Sequence, residues 1–207
     1  MTFDYWSHKG HSIGECMSHP AVPLMYVHIP KNASSWTKPN LLDWQWEFYN
    51  FRTDKLNNKL AMVVLRDPLN RWLSGIAEYF ALYHNELDIE KHRYDKGFLD
   101  LVFDRIAFDD HTERQLYFLQ GLDLSNCVWF RCDNTYREKF TKFLNSHGIS
   151  RDYTRYDYQH TSEDSPPRQK FKNFFSSIVE ENSKYCDAVK NYFHEDYKLI
   201  NKVKFYD

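Results

Sequence analysis

The chain has 207 residues, 42% of them hydrophobic, which is enough for one buried core and favours a single domain over residues 1–207. Its 27 basic and 29 acidic side chains give a formal net charge of −2, which excludes a general attraction to nucleic acid or anionic membranes. No apolar run approaches the ~20 residues that cross a bilayer, so we expect neither a membrane span nor a signal peptide. Any anion-binding site must therefore be local.

The four cysteines do not form the C-x-x-C pairs that are typical of zinc and redox sites. We therefore expect reduced thiols, a cytoplasmic location and no metal site. The sequence does not indicate an oligomeric state.

In chain order, residues 1–23 are polar and broken by glycine and proline, and we expect them to wrap the surface. Residues 24–29 predict a first buried strand. Apolar spacing over residues 41–49 predicts a helix with Pro39 in its first turn, where a missing N–H costs little.

A second strand is predicted by the continuous apolar run over residues 59–66, which is typical of a parallel strand covered on both faces. Asp67 can cap a helix over residues 68–83 that has proline at its first position. Residues 127–131 predict a third strand. Further helices are expected over residues 98–108, from after Asp110 through Leu119, and over residues 167–203. Another is expected to begin at a cap on Asp133 or Asn134 and to end at Gly148. This alternation predicts a compact α/β layer with a short parallel sheet and many helices.

The segment HIPKNASSW, residues 28–36, runs from the first predicted strand into a lysine followed by small polar residues. Side chains this small leave the backbone N–H groups accessible, which suits an anion. The segment lacks the glycines and the residue order of a Walker A loop. An ordinary strand-to-helix turn with a solvated lysine therefore remains an alternative.

The segment RDPLNRWLS, residues 66–74, places Arg66 at the end of the second strand and Ser74 about two turns into the following helix. Ligands of open α/β sheets bind outside the carboxyl ends of the strands, so Lys31 and Arg66 predict one crevice. The alternatives are a salt bridge for Arg66 and a neutral helix position for Ser74. For Arg71 we expect a solvated helix charge.

These two segments resemble the 5′-phosphosulfate loop and the 3′-phosphate motif of sulfotransferases that use 3′-phosphoadenosine 5′-phosphosulfate (PAPS). The segments FDDHTERQLYFL, CVWFRCDNTYREKFTKFLNSHGI and KYCDAVKNYFHEDYKLI are similar to blocks of the carbohydrate sulfotransferase branch, so the resemblance covers about residues 24–200. It implies a P-loop-like three-layer α/β fold, and transfer of a sulfuryl group from PAPS to an acceptor hydroxyl on a saccharide, with release of PAP and without a metal.

The resemblance also implies individual roles. Lys31 would stabilise the leaving phosphate oxygen, Arg66 and Ser74 would bind the 3′-phosphate, and the loop from His160 to Arg168 could close over the nucleotide. Trp36 matches a position that stacks on adenine, although a core aromatic is the alternative. The phosphosulfate would be held by backbone N–H groups of Asn32, Ala33, Ser34, Ser35 and Trp36.

Two departures from the family pattern stand out. The family usually has Thr or Gly where Asn32, Ala33 and Ser34 stand, and Ala33 resists a positive φ more than glycine would. The membrane anchor of the Golgi members is not expected here, so their luminal role is not carried over.

The catalytic base is expected to be His111, which lies in the block that resembles a histidine-containing segment of the family and could gain basicity from Asp109 or Asp110. A cap at the start of the next helix is the alternative role for His111. Glu78 is the alternative base, since family members differ in using histidine or a carboxylate.

Two other functions remain open. The first is a P-loop-like nucleotide kinase, which is disfavoured because the lysine precedes the small residues and no Mg²⁺ ligands are apparent. The second is a non-catalytic nucleotide-binding module.

Overall fold

The computed structural model describes residues 13–149 and 165–207, which form a mixed α/β structure. They fall into two compact units. The sheet unit comprises residues 13–67, 115–149 and 199–207, and the helical unit comprises residues 68–114 and 165–198. A single domain over residues 1–207 stays a prediction.

Five strands form one mixed sheet in the order β3-β1-β2-β4-β5, and β2, β4 and β5 are parallel neighbours at its centre. Strand β1 is antiparallel to both β2 and β3. The strands are β1 (Cys16–Ser18), β2 (Leu24–Val27), β3 (Glu47–Tyr49), β4 (Leu60–Leu65) and β5 (Cys127–Arg131). The three predicted strands are confirmed and form the short parallel part of the sheet, whereas the two antiparallel strands β1 and β3 were not predicted.

The two strands that the sequence did not predict have three residues each, too few to show a period. Cys16 and Met17 of β1 are fully buried, so this part of residues 1–23 does not wrap the surface. Residues 1–12 of that segment lie outside the described residues. The helix predicted over residues 41–49 is confirmed only as far as Asp43, because the helix ends there and residues 47–49 form β3.

Nine α-helices occur within the described ranges. They are α1 (Ser34–Asp43), α2 (Asp54–Asn57), α3 (Pro68–Tyr83), α4 (Lys96–Arg105), α5 (Gln115–Phe118), α6 (Tyr136–Ser146), α7 (Pro166–Glu181), α8 (Ser183–Tyr192) and α9 (His194–Lys202). Pro39 lies inside α1 rather than in its first turn. Helix α3 has the predicted bounds, whereas the predicted segment 167–203 is three helices.

Both faces of the sheet are buried within the sheet unit, as the apolar run of β4 predicts. Met62 and Val64 belong to a cluster on one face with Tyr26, whereas Val63 and Leu65 belong to a cluster on the other. This alternation follows from the two-residue period of a strand. The sheet therefore holds the loops at the carboxyl ends of its parallel strands on a rigid base.

The helical unit has its own core, rich in aromatic side chains from α3, α4, α7 and α8. Arg71 of α3 is fully buried, and its guanidinium donates hydrogen bonds to the backbone carbonyls of Asp110 and Glu113. The expectation of a solvated charge at Arg71 was therefore wrong. None of the helices in the described residues combines the length and apolarity needed to cross a bilayer.

Candidate functional site

The loop that follows β2 begins with a tight turn. The Asn32 N–H donates to the Ile29 carbonyl at 3.3 Å, with Pro30 and Lys31 at the two central positions. Lys31 has a φ of 67°, and a proline followed by a positive φ is typical of a type II turn. The position that usually requires glycine or asparagine is therefore occupied by the predicted catalytic lysine.

Ala33 is the second residue of the loop with a left-handed backbone, at φ 58° and ψ 17°, and it is the N-cap of α1. Its methyl group cannot accept a hydrogen bond, so the helix start has no side-chain cap. Within the described residues, no acceptor contacts the N–H groups of Ala33, Ser34 or Ser35. Residues with a left-handed backbone turn successive N–H groups toward one point. At an uncapped helix start, such N–H groups form a concavity suited to an anion.

Buried amide groups hold this loop to the end of β4. Asn32 is fully buried, and its Nδ2 donates to the Val64 carbonyl and to Gln115 Oε1, both at 2.7 Å. Gln115 Oε1 also accepts from the Arg66 N–H at 2.9 Å, while Gln115 Nε2 donates to the Arg66 carbonyl at 2.9 Å. The two predicted phosphate motifs are thus joined through one side-chain amide.

Arg66 lies directly after β4, and its guanidinium donates to the Lys31 carbonyl at 3.1 Å. No carboxylate in the described part of the chain forms an ion pair with Arg66, so the alternative role in a salt bridge is not observed there. Burial raises the pKa of the nearby Cys132 thiol, and the Arg66 charge only opposes this rise. The thiol therefore stays neutral and does not balance the arginine charge.

Trp36 lies in α1 and is only 6% exposed. Its ring makes edge-to-face contacts with Tyr136 and Phe140, at centroid distances of 5.7 and 6.2 Å. The Arg137 guanidinium lies 5.6 Å from the ring centroid. The ring occupies the place of a core aromatic, and stacking on adenine stays a prediction that would require its face to become accessible.

In the helical unit, Ser74 of α3 is buried, and Gly75 beside it lies against the turn that contains His111. A Cβ atom on Gly75 would be 2.0 Å from the His111 carbonyl oxygen, which is far inside van der Waals contact. Only glycine permits this close approach. The helix therefore fixes the backbone of His111, while a role for Ser74 in phosphate binding stays a prediction.

The His111 side chain is held by Asp109. Its Nδ1 lies 2.8 Å from Asp109 Oδ2, and because a carboxylate only accepts hydrogen bonds, Nδ1 carries the proton and Nε2 is the basic nitrogen. Asp109 Oδ1 accepts from the backbone N–H groups of His111 and Thr112. The imidazole is 32% exposed, whereas the Asp109 side chain is 3% exposed. This is the arrangement of a base with an orienting carboxylate.

Glu78 of α3 is paired with a cation. Its Oε2 lies 2.6 Å from Arg168 Nε, and its side chain is 10% exposed. Arg168 belongs to the first turn of α7, so it is part of a helix rather than of the loop expected to close over the nucleotide. Residues 160–164 of that loop lie outside the described residues.

Three contacts were not predicted from the sequence: those of Gln115 and of the buried Asn32 amide in the sheet unit, and the pairing of Arg168 with Glu78 in the helical unit. Gln115 starts the short helix α5 within the apolar stretch QLYFL, and a single polar residue there carries no periodic signal. Within residues 13–149 and 165–207, no group of three or more His, Cys, Asp or Glu side chains is arranged to hold a metal ion.

The donors around the loop of the sheet unit and the His111–Asp109 pair of the helical unit are thus candidate functional groups. No family model matches the chain, and no curated protein or solved structure matches it significantly.

Proposed function

We propose that the chain is a PAPS-dependent O-sulfotransferase with a P-loop-like fold, and that its acceptor is a hydroxyl group of a saccharide. The observation that carries the proposal is Arg66, a cation at the end of a central parallel strand that bonds to the lysine loop and has no carboxylate partner in the described residues. A partly buried guanidinium without a counter-ion is best explained by an anionic ligand.

The donor chemistry of the loop fits a phosphosulfate group. The N–H groups of Ala33, Ser34 and Ser35 lack acceptors in the described residues, and the positive end of the α1 dipole favours negative charge at the same place. Lys31 adds a full positive charge. Asn32 contributes its backbone to the loop, while its side chain fixes the loop to β4.

Sulfuryl transfer breaks the bond between sulfur and the 5′-phosphate oxygen of PAPS and forms one between sulfur and the acceptor oxygen. Negative charge grows on the departing phosphate oxygen, and Lys31 is suited to stabilise it. The protein forms no covalent bond to the transferred group. Catalysis therefore depends mainly on positioning of the reactants and on charge stabilisation, as in phosphoryl transfer. PAP is the expected product, and we propose that Arg66 and Ser74 bind its 3′-phosphate.

The acceptor hydroxyl must lose a proton, and we propose His111 Nε2 as its acceptor. Asp109 holds the other ring nitrogen, which fixes the tautomer and stabilises the imidazolium that forms. Glu78 is the weaker candidate, because its ion pair with Arg168 would have to be broken before the carboxylate could take a proton.

Ligand-induced thermal shifts of the full chain test the nucleotide specificity. We expect PAP to stabilise the protein more than AMP, and ADP with Mg²⁺ to have no advantage over either. A preference for ADP with Mg²⁺ would support the kinase instead. Turnover with radiolabelled PAPS and a panel of saccharides then separates an enzyme from a binding module, since PAP binding without transfer to any acceptor would favour the module.

A further inference from the structure

We propose that Gln115 is a positioning residue for nucleotide selectivity: it holds Arg66 in the place where the guanidinium distinguishes a 3′-phosphate from a 3′-hydroxyl. This inference rests on the proposed function and concerns a residue outside both phosphate motifs. The amide of Gln115 pairs with both the N–H and the carbonyl of Arg66, at 2.9 Å each.

The pairing of the Gln115 amide with the Arg66 backbone resembles the hydrogen bonding between neighbouring strands of a sheet. Strand β4 ends at Leu65, whose carbonyl accepts from the Cys132 N–H at 2.7 Å, and Arg66 is the first residue beyond it. The Leu65 carbonyl and the Arg66 N–H belong to one peptide group, which the bond from Cys132 already holds, whereas the next peptide group, with the Arg66 carbonyl, lies beyond the strand pairing and needs another partner. Gln115 supplies that pairing from a side chain that is fully buried, so the direction of the Arg66 side chain is set.

The same amide also fixes the loop. Gln115 Oε1 accepts from Asn32 Nδ2 at 2.7 Å, and Asn32 is the residue between the two left-handed positions Lys31 and Ala33. A shift of Gln115 would therefore move Arg66 and the loop together. Buried, connected amides of this kind specify one arrangement because each unpaired group would carry a desolvation cost.

A buried glutamine could instead serve stability alone, and the two roles predict different binding data. General loosening of the fold would weaken PAP and AMP alike. Misplacement of Arg66 would weaken PAP selectively, because AMP has no 3′-phosphate for the guanidinium to bind. The ratio of the two affinities is therefore the informative quantity.

The test is isothermal titration calorimetry of PAP and AMP with the wild type, Q115M and the control Q120M. Methionine conserves side-chain length without hydrogen bonds, and Gln120 is exposed five residues away. We expect Q115M to lower the PAP-to-AMP affinity ratio by about tenfold, which is the effect of losing one charge-assisted hydrogen bond, and Q120M to leave it unchanged. In an R66A background, Q115M should not change the ratio further.

Circular dichroism and thermal unfolding will show whether Q115M folds. If it does not, Q115N takes its place, since the shorter side chain keeps an uncharged amide but cannot reach both backbone groups of Arg66, and the ratio should again fall. If the wild type prefers PAP and the folded variant keeps the same PAP-to-AMP affinity ratio, the role of Gln115 is refuted but the proposed function is not. A wild type without preference for PAP over AMP would overturn the proposed function as well.

Discussion

The loop over residues 29–35 of the sheet unit and the turn over residues 108–112 of the helical unit hold their backbones in opposite ways. The loop contains two left-handed residues, Lys31 and Ala33, and its helix start has no side-chain cap. The turn contains no residue of positive φ, and Asp109 and Thr112 hydrogen-bond to its backbone N–H groups.

The difference indicates what each segment can do. The loop leaves backbone donors without acceptors in the described residues, at a conformational cost of about 1–2 kcal/mol for each left-handed residue. Observed strain of this kind supports a hypothesis of ligand binding. The turn uses its donors internally, so its function would depend on one side chain, His111, held in one tautomer. Changes in the turn should therefore affect turnover without affecting nucleotide affinity, whereas changes in the loop should affect the groups that contact the nucleotide, including its departing phosphate oxygen.

The largest expected effect is that of His111→Ala. Removal of a general base lowers turnover by about 10²–10⁴-fold, while PAP affinity should stay within about twofold of wild type, because no phosphate donor is lost. Steady-state sulfuryl transfer and calorimetry measure the two quantities.

His92→Ala is a matched control, since His92 Nδ1 also contacts a carboxylate of the same unit, Asp95 Oδ2 at 3.1 Å. It should keep wild-type turnover. An active His111→Ala combined with an inactive Glu78→Gln would identify Glu78 as the base. Full activity in both variants would refute this account of proton removal.

Lys31→Ala should come next, with turnover lowered by about 10²-fold or more through loss of a charge at the departing oxygen. The fold should persist, because alanine retains the loop backbone. Lys38→Ala serves as the control for local charge, since Lys38 lies in α1 and pairs with Glu15 at 3.9 Å. Comparable losses in the two variants would mean that general electrostatics, rather than Lys31, supports transfer.

Arg66→Ala should cost about 1.5–3 kcal/mol of PAP affinity and much less of AMP affinity, as expected for a lost charge-assisted hydrogen bond to the 3′-phosphate. Calorimetry with both nucleotides measures this. Arg131→Ala is the control, because Arg131 is the residue paired with Leu65 at the end of the neighbouring strand and its guanidinium stacks on Phe205. Equal losses of PAP and AMP affinity would remove Arg66 from 3′-phosphate recognition.

The contrast between loop and turn also explains what the sequence could predict. The strands β2, β4 and β5 and helix α3 were predicted because apolar periodicity and capping residues are local signals. The pairing of Asn32 with Gln115 spans 83 residues, and the burial of Arg71 depends on carbonyls of a distant turn. Contacts that depend on tertiary packing leave no periodic pattern in the sequence. The contact between Gln115 and the loop was therefore not predicted.

The smallest expected effect is that of Ala33→Gly, and it tests whether strain in the loop is real. Glycine adopts φ 58° without the Cβ penalty but loses more backbone entropy on folding, so the net gain in the free energy of unfolding should be about 0.5–1 kcal/mol. Chemical denaturation measures it. Ala188→Gly, in the interior of α8, should instead lose about 1 kcal/mol, because glycine is unfavourable inside a helix. Destabilisation by both changes would mean that Ala33 is not strained, and the loop would then differ from the turn only in its unpaired donors.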